Sequence, residues 1–539
     1  MTKQHGGKIL AKRLASHGVS RVFSVPGESF LAALDGLYDE DIPNIVCRQE
    51  GGAAMMAEAH GKMTGKPGVV FVTRGPGATN ASAGLHIAMH DATPLVCFVG
   101  QIPLRHRDRG AFQEVDYRAF FGPLVKWVAE VERTDRLAEY IDRAFAIAQS
   151  GRPGPVVLAL PEDILSAEAE APAVHIGARA TPSVHADALA AFVAELERAE
   201  RPLIVCGGSQ WSEADREEAQ SLAERLGAPV AVTFRRQDYI DNDHPNYAGD
   251  YGVGMNPALG KRMTAADCIL LLGAELNDIT TAEYSLLDPA NPPVILQIHP
   301  EQDRIGRVYP ATHAVTATPR AVLPLLLERI DARDADRGAM EARADYEAWQ
   351  ELQPTPGDVQ LEQIIGWLRD HARPDTIIAN GAGNYAAFLH RYYRFRQFGT
   401  QLAPTSGSMG YGLPAAVSAK LQHPDRPVVC LAGDGCLQMT IQELSTARQY
   451  GAEIIVIVAN NGRYGTIRMH QEKTYPGRVS GTDLFNPDYA ALARAYGGTG
   501  HTITTNAQFA AAFEQATTGG LHIIELRLDP KMLATTKSL

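Results

Sequence analysis

Two glycine-bounded turns carry the side chains of this sequence that are best suited to bind a metal ion. The apolar run VVCLA (428–432) predicts a strand that ends at Gly433-Asp434-Gly435, and EIIVIVA (453–459) predicts a strand that ends at Asn460-Asn461-Gly462. In a parallel sheet the crossover returns the chain to the same edge, so Asp434 and Asn461 can converge although 27 positions separate them. One carboxylate, one amide oxygen and a loop carbonyl form a hard oxygen ligand set that suits Mg²⁺, with phosphates and water completing the octahedron.

The segment after the first turn indicates that the metal binds together with a phosphate. Gly435 lets the backbone approach a ligand closely, and the helix predicted over 437–450 offers free N–H groups and the positive end of its dipole. Either turn alone is more typical of an ordinary glycine turn. Both turns together, at the ends of adjacent strands, favour a site for a metal and a phosphate-containing ligand.

The GDG and NN turns at this spacing resemble the cofactor signature of thiamine diphosphate (ThDP) enzymes. Nearly the whole chain resembles one group of them, which contains acetolactate synthase, pyruvate oxidase and benzoylformate decarboxylase. The resemblance implies ThDP and Mg²⁺ as cofactors, with Asp434, Asn461 and the backbone carbonyl of Arg463 as metal ligands. It also implies a homo-oligomer, because in this family the cofactor lies between the first domain of one subunit and the last domain of another. Dimer and tetramer both stay open.

Glu50 follows the predicted strand NIVCRQ (44–49) and begins a small-residue helix. Taken alone, it is typical of a solvated acid or of a charge at a helix N-terminus. The resemblance implies that this glutamate hydrogen-bonds N1′ of the cofactor pyrimidine. That bond favours the imino form of the 4′-amino group, which then removes the proton from C2 of the thiazolium. We therefore expect Glu50 to be buried and to carry the proton or share it with N1′.

Two glycine-rich loops match the family's remaining cofactor contacts. In PTSGSMGYGLPAA (404–416), Met409 is expected to support the bent shape of ThDP and the carbonyl of Gly407 to receive the 4′-amino group. IIANGAGNYA (377–386) has a dinucleotide-like G-x-G-x-x-A pattern, but no acidic residue follows about 20 positions later to bind a ribose. The resemblance assigns this loop to the diphosphate. The implied cofactor-binding residues are Glu50, Gly383, Asn384, Tyr385, Gly407, Met409, Gly433, Asp434, Gly435, Cys436 and Asn461.

The substrate side is implied by the loop GQIPLRHRDRGAFQEVDY (100–117), which resembles the acetolactate synthase loop containing AFQE. Phe112 and Gln113 are expected to line the substrate pocket, with Gln113 as a catalytic residue. RGPGATN (74–80) is expected beside them. A purely structural role for either loop stays open.

Three positions depart from the acetolactate synthase pattern. Glu28 stands where a glycine is usual, and pyruvate decarboxylases have an acid there for proton transfer. We interpret Glu28 as a further catalytic acid or base, with a surface or salt-bridged carboxylate as the alternative. His470 replaces a tryptophan that favours 2-oxobutyrate as acceptor, and Thr466 replaces a usual methionine. Both are therefore expected to line a different acceptor pocket.

The stretch GAELNDITT (273–281) bears on a third cofactor, FAD. Biosynthetic acetolactate synthases bind FAD beside an Arg-Phe-Asp-Asp stretch at the matching place, and the arginine is missing here. HPEQDRIGRVYP (299–310) partly resembles the following segment of those enzymes. The missing arginine argues against FAD, and its binding stays open at this stage.

Predicted strands alternate with predicted helices along the chain, and this alternation predicts an α/β fold with doubly wound parallel sheets. We predict three domains: a pyrimidine-binding domain at 1–168, a central domain at 187–331 and a diphosphate-binding domain at 358–539, with a linker at 166–187. A faint internal repeat supports related first and last domains. The segments 50–77 and 408–435 each contain a small-residue helix, a charged turn, a strand beginning with two valines and a glycine turn.

Composition excludes several functional classes. The 539 residues carry a net charge of −12, which argues against nucleic acid as a partner. No apolar run approaches the ~18 residues of a membrane span, and the N-terminus lacks the apolar core of a signal peptide. The six cysteines contain no CxxC pair, so we expect free thiols and a cytoplasmic enzyme.

The sequence thus predicts a ThDP- and Mg²⁺-dependent carboligase of the acetolactate synthase type. It would decarboxylate a 2-oxo acid such as pyruvate and join the resulting enamine to a second carbonyl compound. One alternative is a 2-oxo acid decarboxylase, or a lyase of 2-hydroxy ketones or diones, with Glu28 as the proton donor. The other is a homologue that binds ligands without catalysis.

Overall fold

The fold is built on three successive six-stranded sheets. The computed structural model describes residues 3–170, 176–177, 182, 184–332, 335–535 and 537–538, so much of the predicted linker at 166–187 lies outside the described residues. Within each of these sheets, all neighbouring strands are parallel. This confirms the predicted fold class, an α/β protein with three doubly wound parallel-sheet domains.

The first sheet has the strand order β3-β2-β4-β5-β7-β6, and a short antiparallel pair joins β1 to β8. Its strands are β1 (Lys3–His5), β2 (Val22–Ser24), β3 (Asn44–Val46), β4 (Gly68–Val72), β5 (Leu95–Gln101), β6 (Trp127–Glu130), β7 (Pro155–Pro161) and β8 (Glu168–Glu170). Its helices are α1 (Gly6–Ser16), α2 (Leu31–Asp39), α3 (Glu50–Thr64), α4 (Pro76–Asp91), α5 (Tyr117–Phe121), α6 (Leu137–Gln149) and α7 (Glu162–Ser166).

The central sheet has the order β11-β10-β9-β12-β13-β14. Its strands are β9 (Pro202–Cys206), β10 (Val230–Thr233), β11 (Tyr247–Tyr251), β12 (Cys268–Leu272), β13 (Val294–His299) and β14 (His313–Thr316). Its helices are α8 (Ala186–Arg198), α9 (Glu213–Leu226), α10 (Pro257–Ala265), α11 (Pro319–Leu327) and α12 (Ala339–Trp349).

The third sheet has the order β16-β15-β17-β18-β20-β19, and β21 pairs with β22 beside it. Its strands are β15 (Ile377–Asn380), β16 (Gln401–Leu402), β17 (Val428–Gly433), β18 (Ile455–Asn460), β19 (Thr499–Ile503), β20 (His522–Arg527), β21 (Met532–Ala534) and β22 (Lys537–Ser538). Its helices are α13 (Leu361–His371), α14 (Asn384–Tyr392), α15 (Gly412–Gln422), α16 (Asp434–Gln438), α17 (Glu443–Gln449), α18 (Gly465–Thr474), α19 (Tyr489–Ala495) and α20 (Phe509–Ala516).

The strands are apolar on both faces because helices cover both sides of each sheet. In the first sheet Val70 and Cys97 enter one core, whereas their neighbours Val69 and Val96 enter the core on the opposite face. This double burial explains why runs such as GVVFV read as continuous apolar stretches in the sequence.

The two segments of the internal repeat occupy matching places. The helix α3 precedes β4, the helix α15 precedes β17, and β4 and β17 each stand third in their sheets. The helices α3 and α15 pack on one another, with Ser418 Oγ donating to the carbonyl of Met56 at 2.8 Å. The first and third domains of one chain therefore share an apolar core.

The helix predicted over 437–450 is wrong in its extent. Two helices, α16 and α17, replace it, with a break between Gln438 and Glu443. At the break Thr440 Oγ1 donates to the carbonyl of Gly410 at 2.7 Å, so this turn is tied to a neighbouring loop. Among the described residues, none of the helices combines the length and the apolar character needed to cross a membrane.

Candidate active site

A cavity of ≈ 240 Å³ opens at the carboxyl edge of the third sheet, where β15, β17 and β18 end. This is the edge at which open α/β sheets bind ligands, next to the point where the strand order reverses. The lining residues come from five stretches, 382–388, 407–409, 433–436, 459–467 and 528–533. Both metal-binding turns and both glycine-rich loops predicted from the sequence meet in this cavity.

Asp434 is the first residue of α16, and its buried carboxylate is held by the turns around it. Oδ1 accepts from the backbone N–H of Gly435 at 2.9 Å, and Oδ2 accepts from the N–H of Gly462 at 2.9 Å. Asn486 also donates to Oδ2, at 2.8 Å. Burial raises the pKa of Asp434, and these hydrogen bonds oppose the rise. The turn after β18 is thereby joined directly to the carboxylate after β17.

The metal ligands implied by the resemblance line the same cavity. Asn461 and Arg463 stand at its wall with Asp434, and Asn461 Oδ1 accepts from the N–H of Arg463 at 3.2 Å. Among the described residues, no group of three His, Cys, Asp or Glu side chains could hold a metal. One carboxylate, one amide and one carbonyl nevertheless fit Mg²⁺, because phosphate oxygens and water supply its other ligands.

Asn460 and Asn486 extend the predicted site. Asn486 Nδ2 donates both to Asp434 and to Asn460 Oδ1, the latter at 3.0 Å. Asn460 in turn donates to Glu525 of β20 at 2.7 Å. Asn486 lies 52 residues after Asp434 and carries no local signal, so the sequence did not reveal its place in the site. These side chains orient the carboxylate that would hold the metal.

The predicted diphosphate loop is held by a sulfur contact. Tyr385 Oη donates to Cys436 Sγ at 3.2 Å, and the N–H of Gly410 donates to the same sulfur at 3.2 Å. Gly383 has φ = 146°, a conformation that favours glycine. Burial raises the pKa of Tyr385 well above its ordinary value, so its hydroxyl stays protonated and available as a donor. Cys436 therefore links the loops that carry Gly383 and Met409.

Asn384 and Thr466 form a second link across the cavity. The N–H of Asn384 donates to Thr466 Oγ1 at 3.0 Å, and that hydroxyl donates to Asn384 Oδ1 at 3.0 Å. Asn384 Nδ2 donates to the carbonyl of Leu533 at 2.6 Å. The hydroxyl of Thr466, which we expected in the acceptor pocket, thus contacts the predicted diphosphate loop.

The loop of Gly407 and Met409 is anchored by the first domain. Gly407 has φ = 68° and Met409 is half-buried at the cavity wall. The N–H of Thr405 donates to Asp91 of α4 at 2.7 Å, and Asp91 is paired with Lys62 of α3. Although burial by itself would raise the pKa of Asp91, the charges of Lys62 and Arg236 lower it to about 2. The loop therefore rests on a permanently ionised buried carboxylate.

Glu50 lies outside this cavity, at the N-terminus of α3. Asn80 donates to its Oε2 at 3.0 Å, and the side chain is half-buried in the single chain, where we expected burial. Glu443 of α17 fixes the backbone two residues before Glu50, because its carboxylate accepts from the N–H of Arg48 at 3.1 Å. Burial raises the pKa of Glu443. The sequence analysis missed Glu443, which is 395 residues from Arg48.

Comparisons with known proteins show the family to which this chain belongs. The chain matches the N-terminal TPP binding domain of thiamine pyrophosphate enzymes over residues 4–120, the central domain over 189–326 and the C-terminal TPP binding domain over 381–526. It is 32% identical to the acetolactate synthase large subunit of Parasynechococcus marenigrum (strain WH8102), over 93% of this chain and 83% of the relative. The chain belongs to the thiamine pyrophosphate enzyme family.

The names of two further relatives of this thiamine pyrophosphate enzyme describe two kinds of reaction. Acetolactate synthase isozyme 3 large subunit of Escherichia coli (strain K12) is 31% identical, over 97% of this chain and 95% of the relative. The solved Rhodococcus jostii RHA1 thiamine diphosphate-dependent 4-hydroxybenzoylformate decarboxylase superposes with a TM-score of 0.86 at 27% identity, covering 98% of this chain and 99% of that one. The predicted family, the ThDP-dependent enzyme and the ThDP cofactor are confirmed.

The predicted substrate residues of this thiamine pyrophosphate enzyme lie at the surface of the single chain. The side chain of Glu28 is 74% exposed and accepts from Nη2 of the buried Arg74 at 3.1 Å. Arg74 is also paired with Glu162. Phe112 is 77% exposed, and Gln113, with φ = 65°, packs beside Gly75. Arg74 was expected only as part of its loop. Its ion pair gives Glu28 the surface, salt-bridged setting that the sequence left open as the alternative.

His470 lies on the exposed side of α18 and is not among the residues that line the cofactor cavity. Thr466, the second residue of the same helix, lies one turn earlier and does line the cavity. The two residues predicted to share an acceptor pocket thus occupy different surroundings in the single chain. Their common role stays a prediction.

A second cavity, of ≈ 700 Å³, lies at the carboxyl edge of the central sheet, where FAD was left open. Its volume suits a cofactor. However, Glu275 occupies its wall and engages Arg304 at 3.3 Å and Arg152 at 3.9 Å. Burial would raise the pKa of Glu275, but the hydrogen bond from His299 and the two arginines lower it to about 2. Because these two cations are paired and the family's arginine is missing from 273–281, the described lining of the cavity does not support FAD.

Proposed function

We propose that this thiamine pyrophosphate enzyme is a Mg²⁺-dependent carboligase of the acetolactate synthase type. It would decarboxylate a small 2-oxo acid such as pyruvate and join the remaining two-carbon unit to a second carbonyl compound. The observation that carries the proposal is the convergence of Asp434, Asn461, Gly383 and Met409 in one cavity, in a chain that resembles acetolactate synthases along nearly its whole length. The reaction would run in the cytoplasm, in keeping with the free, buried cysteines of the described chain.

Each group of residues at the cavity has a chemical task in this proposal. Asp434, Asn461 and the carbonyl of Arg463 bind Mg²⁺, while the backbone of Gly383–Tyr385, Gly435 and Cys436 binds the diphosphate. Met409 supports the cofactor from the side. ThDP supplies the electron sink that makes loss of CO₂ from a 2-oxo acid possible. The protein contributes binding, orientation and a poorly hydrated pocket that limits early protonation.

We further propose that Glu50 completes the site of a second copy of the chain. Glu50 is half-buried and lies outside the cavity of its own chain. Large apolar side chains are exposed on the third domain near the cavity and on the loop of Phe112; they are Met439, Ile467, Tyr475, Val479, Phe485 and Phe112. An exposed apolar surface of this kind is typical of a protein interface. In the pair, Glu50 would hold a proton at N1′ of the cofactor.

Product analysis tests the proposed reaction. Purified protein is incubated with ThDP, Mg²⁺ and pyruvate, and CO₂, acetaldehyde and acetolactate are measured, with Glu50→Gln as the control. One acetolactate per CO₂ would support the carboligase. Full activity of Glu50→Gln would refute the role of Glu50. A protein that binds ThDP but converts neither pyruvate nor any other 2-oxo acid or dione would instead be a non-catalytic homologue.

A decarboxylase is the second candidate, with Glu28 as its proton donor. Its carboxylate is exposed beside Arg74, where it could protonate the intermediate so that an aldehyde leaves. The Rhodococcus jostii relative of similar fold is titled a decarboxylase. In the same assay, acetaldehyde equal to CO₂ would identify this reaction. A lyase would instead cleave 2-hydroxy ketones or diones and leave pyruvate unchanged.

A further inference from the structure

The segment FRRQD (234–238) follows β10 of the central sheet and packs against the third domain. Arg235, its second residue, is buried and has φ = 61°, a left-handed conformation that non-glycine residues rarely adopt. Such a conformation persists only where the surrounding structure enforces it, and it often marks a functional position. The contacts of Arg235 show what the conformation achieves.

Its guanidinium bridges two loops of the cofactor cavity. Nη2 donates to the carbonyl of Gly381 at 2.9 Å, and Nη1 donates to the carbonyl of Pro404. Gly381 begins the predicted diphosphate loop, and Pro404 begins the loop that carries Gly407 and Met409. One arginine of the central domain therefore holds the two cofactor loops of the third domain at a constant separation.

The bond to Gly381 also orients the next peptide group. In a planar trans peptide the N–H points opposite to the C=O. Because the carbonyl of Gly381 points at Arg235, the N–H of Ala382 points away from the guanidinium, and Ala382 lines the cofactor cavity. Arg235 thus directs the backbone N–H of Ala382 away from itself, within the loop expected to bind the diphosphate.

The guanidinium of Arg235 has no direct ion pair in the described part of the chain, and the carboxylate of Asp91 acts on its charge from beyond ion-pair distance. No carboxylate there forms an ion pair with the guanidinium, and Nε has no hydrogen-bond partner. Burial lowers its pKa to about 10, so Arg235 still carries its charge at neutral pH. Its electrostatic neighbours include Tyr385 and Cys436, both of which line the cavity. An unpaired buried cation is unfavourable, and an anion bound nearby relieves that cost.

Docking of the central domain on the third does not rest on Arg235 alone. Asp238 accepts from the N–H of Thr400 at 3.0 Å, and Gln237 donates to the carbonyl of His390 at 2.7 Å. Gln237 and Gln401 exchange two further hydrogen bonds, at 2.8 and 2.9 Å. The neighbouring residues attach the segment, which leaves the contacts of Arg235 directed to the cofactor loops.

We propose that Arg235 is a positioning residue for ThDP, which holds the two cofactor loops in place and supplies a buried positive charge, without a direct ion pair, behind the diphosphate site. The inference rests on the ThDP-dependent function proposed above. It assigns part of the affinity for an anionic cofactor to the central domain, although the cavity itself is lined by the third domain.

The test is calorimetric titration of the full-length protein with ThDP in the presence of Mg²⁺. Arg235→Met removes the bridge and the charge, and we expect the dissociation constant for ThDP to rise at least about tenfold. Arg235→Lys keeps the charge without the two-pronged bridge and should fall between Met and wild type. If catalysis is measured as well, saturating ThDP should restore most of the rate, because the defect is one of binding.

Two control variants separate this role from general stability. Gln237→Ala weakens the docking of the same segment and should lower the unfolding temperature while leaving ThDP affinity within about twofold. Arg320→Gln removes an arginine of the central domain whose side chain is 61% exposed, and should leave the affinity unchanged.

Three results would overturn the inference. In the first, Arg235→Met binds ThDP as tightly as wild type. In the second, Gln237→Ala loses affinity as much as Arg235→Met, which would mean that docking alone matters. The third result applies if Arg235→Met does not fold: Arg235→Lys folds and binds ThDP with wild-type affinity. Failure of the wild-type protein to bind ThDP is a different outcome, because it would refute the proposed function itself.

Discussion

The first and third sheets have matching strand orders, yet their carboxyl edges present carboxylates in opposite ways. In the third domain, Asp434 is buried and accepts hydrogen bonds from Gly435, Gly462 and Asn486. In the first domain, Glu50 is half-buried and accepts from Asn80. The two related domains thus differ in their sites. The site of Asp434 is organised within a single chain, whereas the carboxylate of Glu50 stays partly exposed.

This difference has a physical reason. A metal with a diphosphate needs many fixed donors and ligands, and one sheet edge with two glycine turns can supply them all. A carboxyl group that must hold a proton needs a poorly hydrated environment, and an exposed sheet edge cannot supply it without a second surface. The comparison therefore yields predictions about which residues act in binding and which act in catalysis.

The largest effect is expected for Asp434→Ala. Removing the charged metal ligand should abolish Mg²⁺-dependent ThDP binding and lower activity by about a thousandfold or more. Calorimetric titration with ThDP and Mg²⁺ measures the first effect and an assay of CO₂ release the second. Asp483→Ala removes a nearby carboxylate that is 74% exposed, and it should behave as wild type. Unchanged Mg²⁺ dependence in Asp434→Ala would show that the metal binds elsewhere.

Glu50→Gln should separate catalysis from binding. We expect CO₂ release to fall by about a hundred- to a thousandfold, because the amide cannot supply the proton, while ThDP affinity changes only a few-fold. The same titration and assay measure both quantities. Equal losses of affinity in Glu50→Gln and Asp434→Ala would erase the contrast between the two domains.

A mixture of these two inactive variants tests whether the site is shared between copies. If Glu50 of one protomer serves Asp434 of the other, a hybrid dimer has one intact site, and random re-association should restore about a quarter of wild-type activity. If both residues of one chain form the same site, mixing restores nothing.

A smaller effect, on stability, is expected where the two domains meet. Asp91 has a folded-state pKa of about 2, depressed below its ordinary 3.8, so its contribution is present above pH 3.8 and is lost as the pH falls toward 2. Asp91→Asn leaves Lys62 buried without its full partner and should cost about 3 kcal/mol at pH 7. Melting temperatures at pH 7 and near pH 3 should show a gap that narrows in acid. Asp35→Asn, at a side chain 60% exposed, is the control.

The smallest effect is expected for Glu28→Gly, which restores the residue usual in acetolactate synthases. Total CO₂ release should change little, whereas the ratio of aldehyde to 2-hydroxy ketone should fall by roughly two- to fivefold if Glu28 donates the proton. Quantifying both products measures it, with Glu132→Gln as a surface control at 59% exposure. An unchanged ratio would leave Glu28 as a salt-bridged surface carboxylate.

Local sequence patterns predicted the central strands and the two metal-binding turns. Apolar runs that end in glycine turns marked the central strands, and the two metal-binding turns were found because each is a few consecutive residues at a strand end. The extent of the helix over 437–450 was wrong, because its break at Thr440 depends on a bond to Gly410, which local pattern does not reveal. Asn486, Glu443 and Arg235 were missed for the same reason.

The sequence alone predicted the fold class and the two turns of Asp434 and Asn461, because these depend on short-range periodicity, glycine placement and residue type. The cofactor family followed from the resemblance of those turns to the signature of thiamine diphosphate enzymes. The tertiary structure was needed to show that Glu275 pairs with the arginines where FAD was left open, and that Arg235 reaches the cofactor loops from another domain. These are contacts between residues far apart in the chain, and their geometry arises from domain packing.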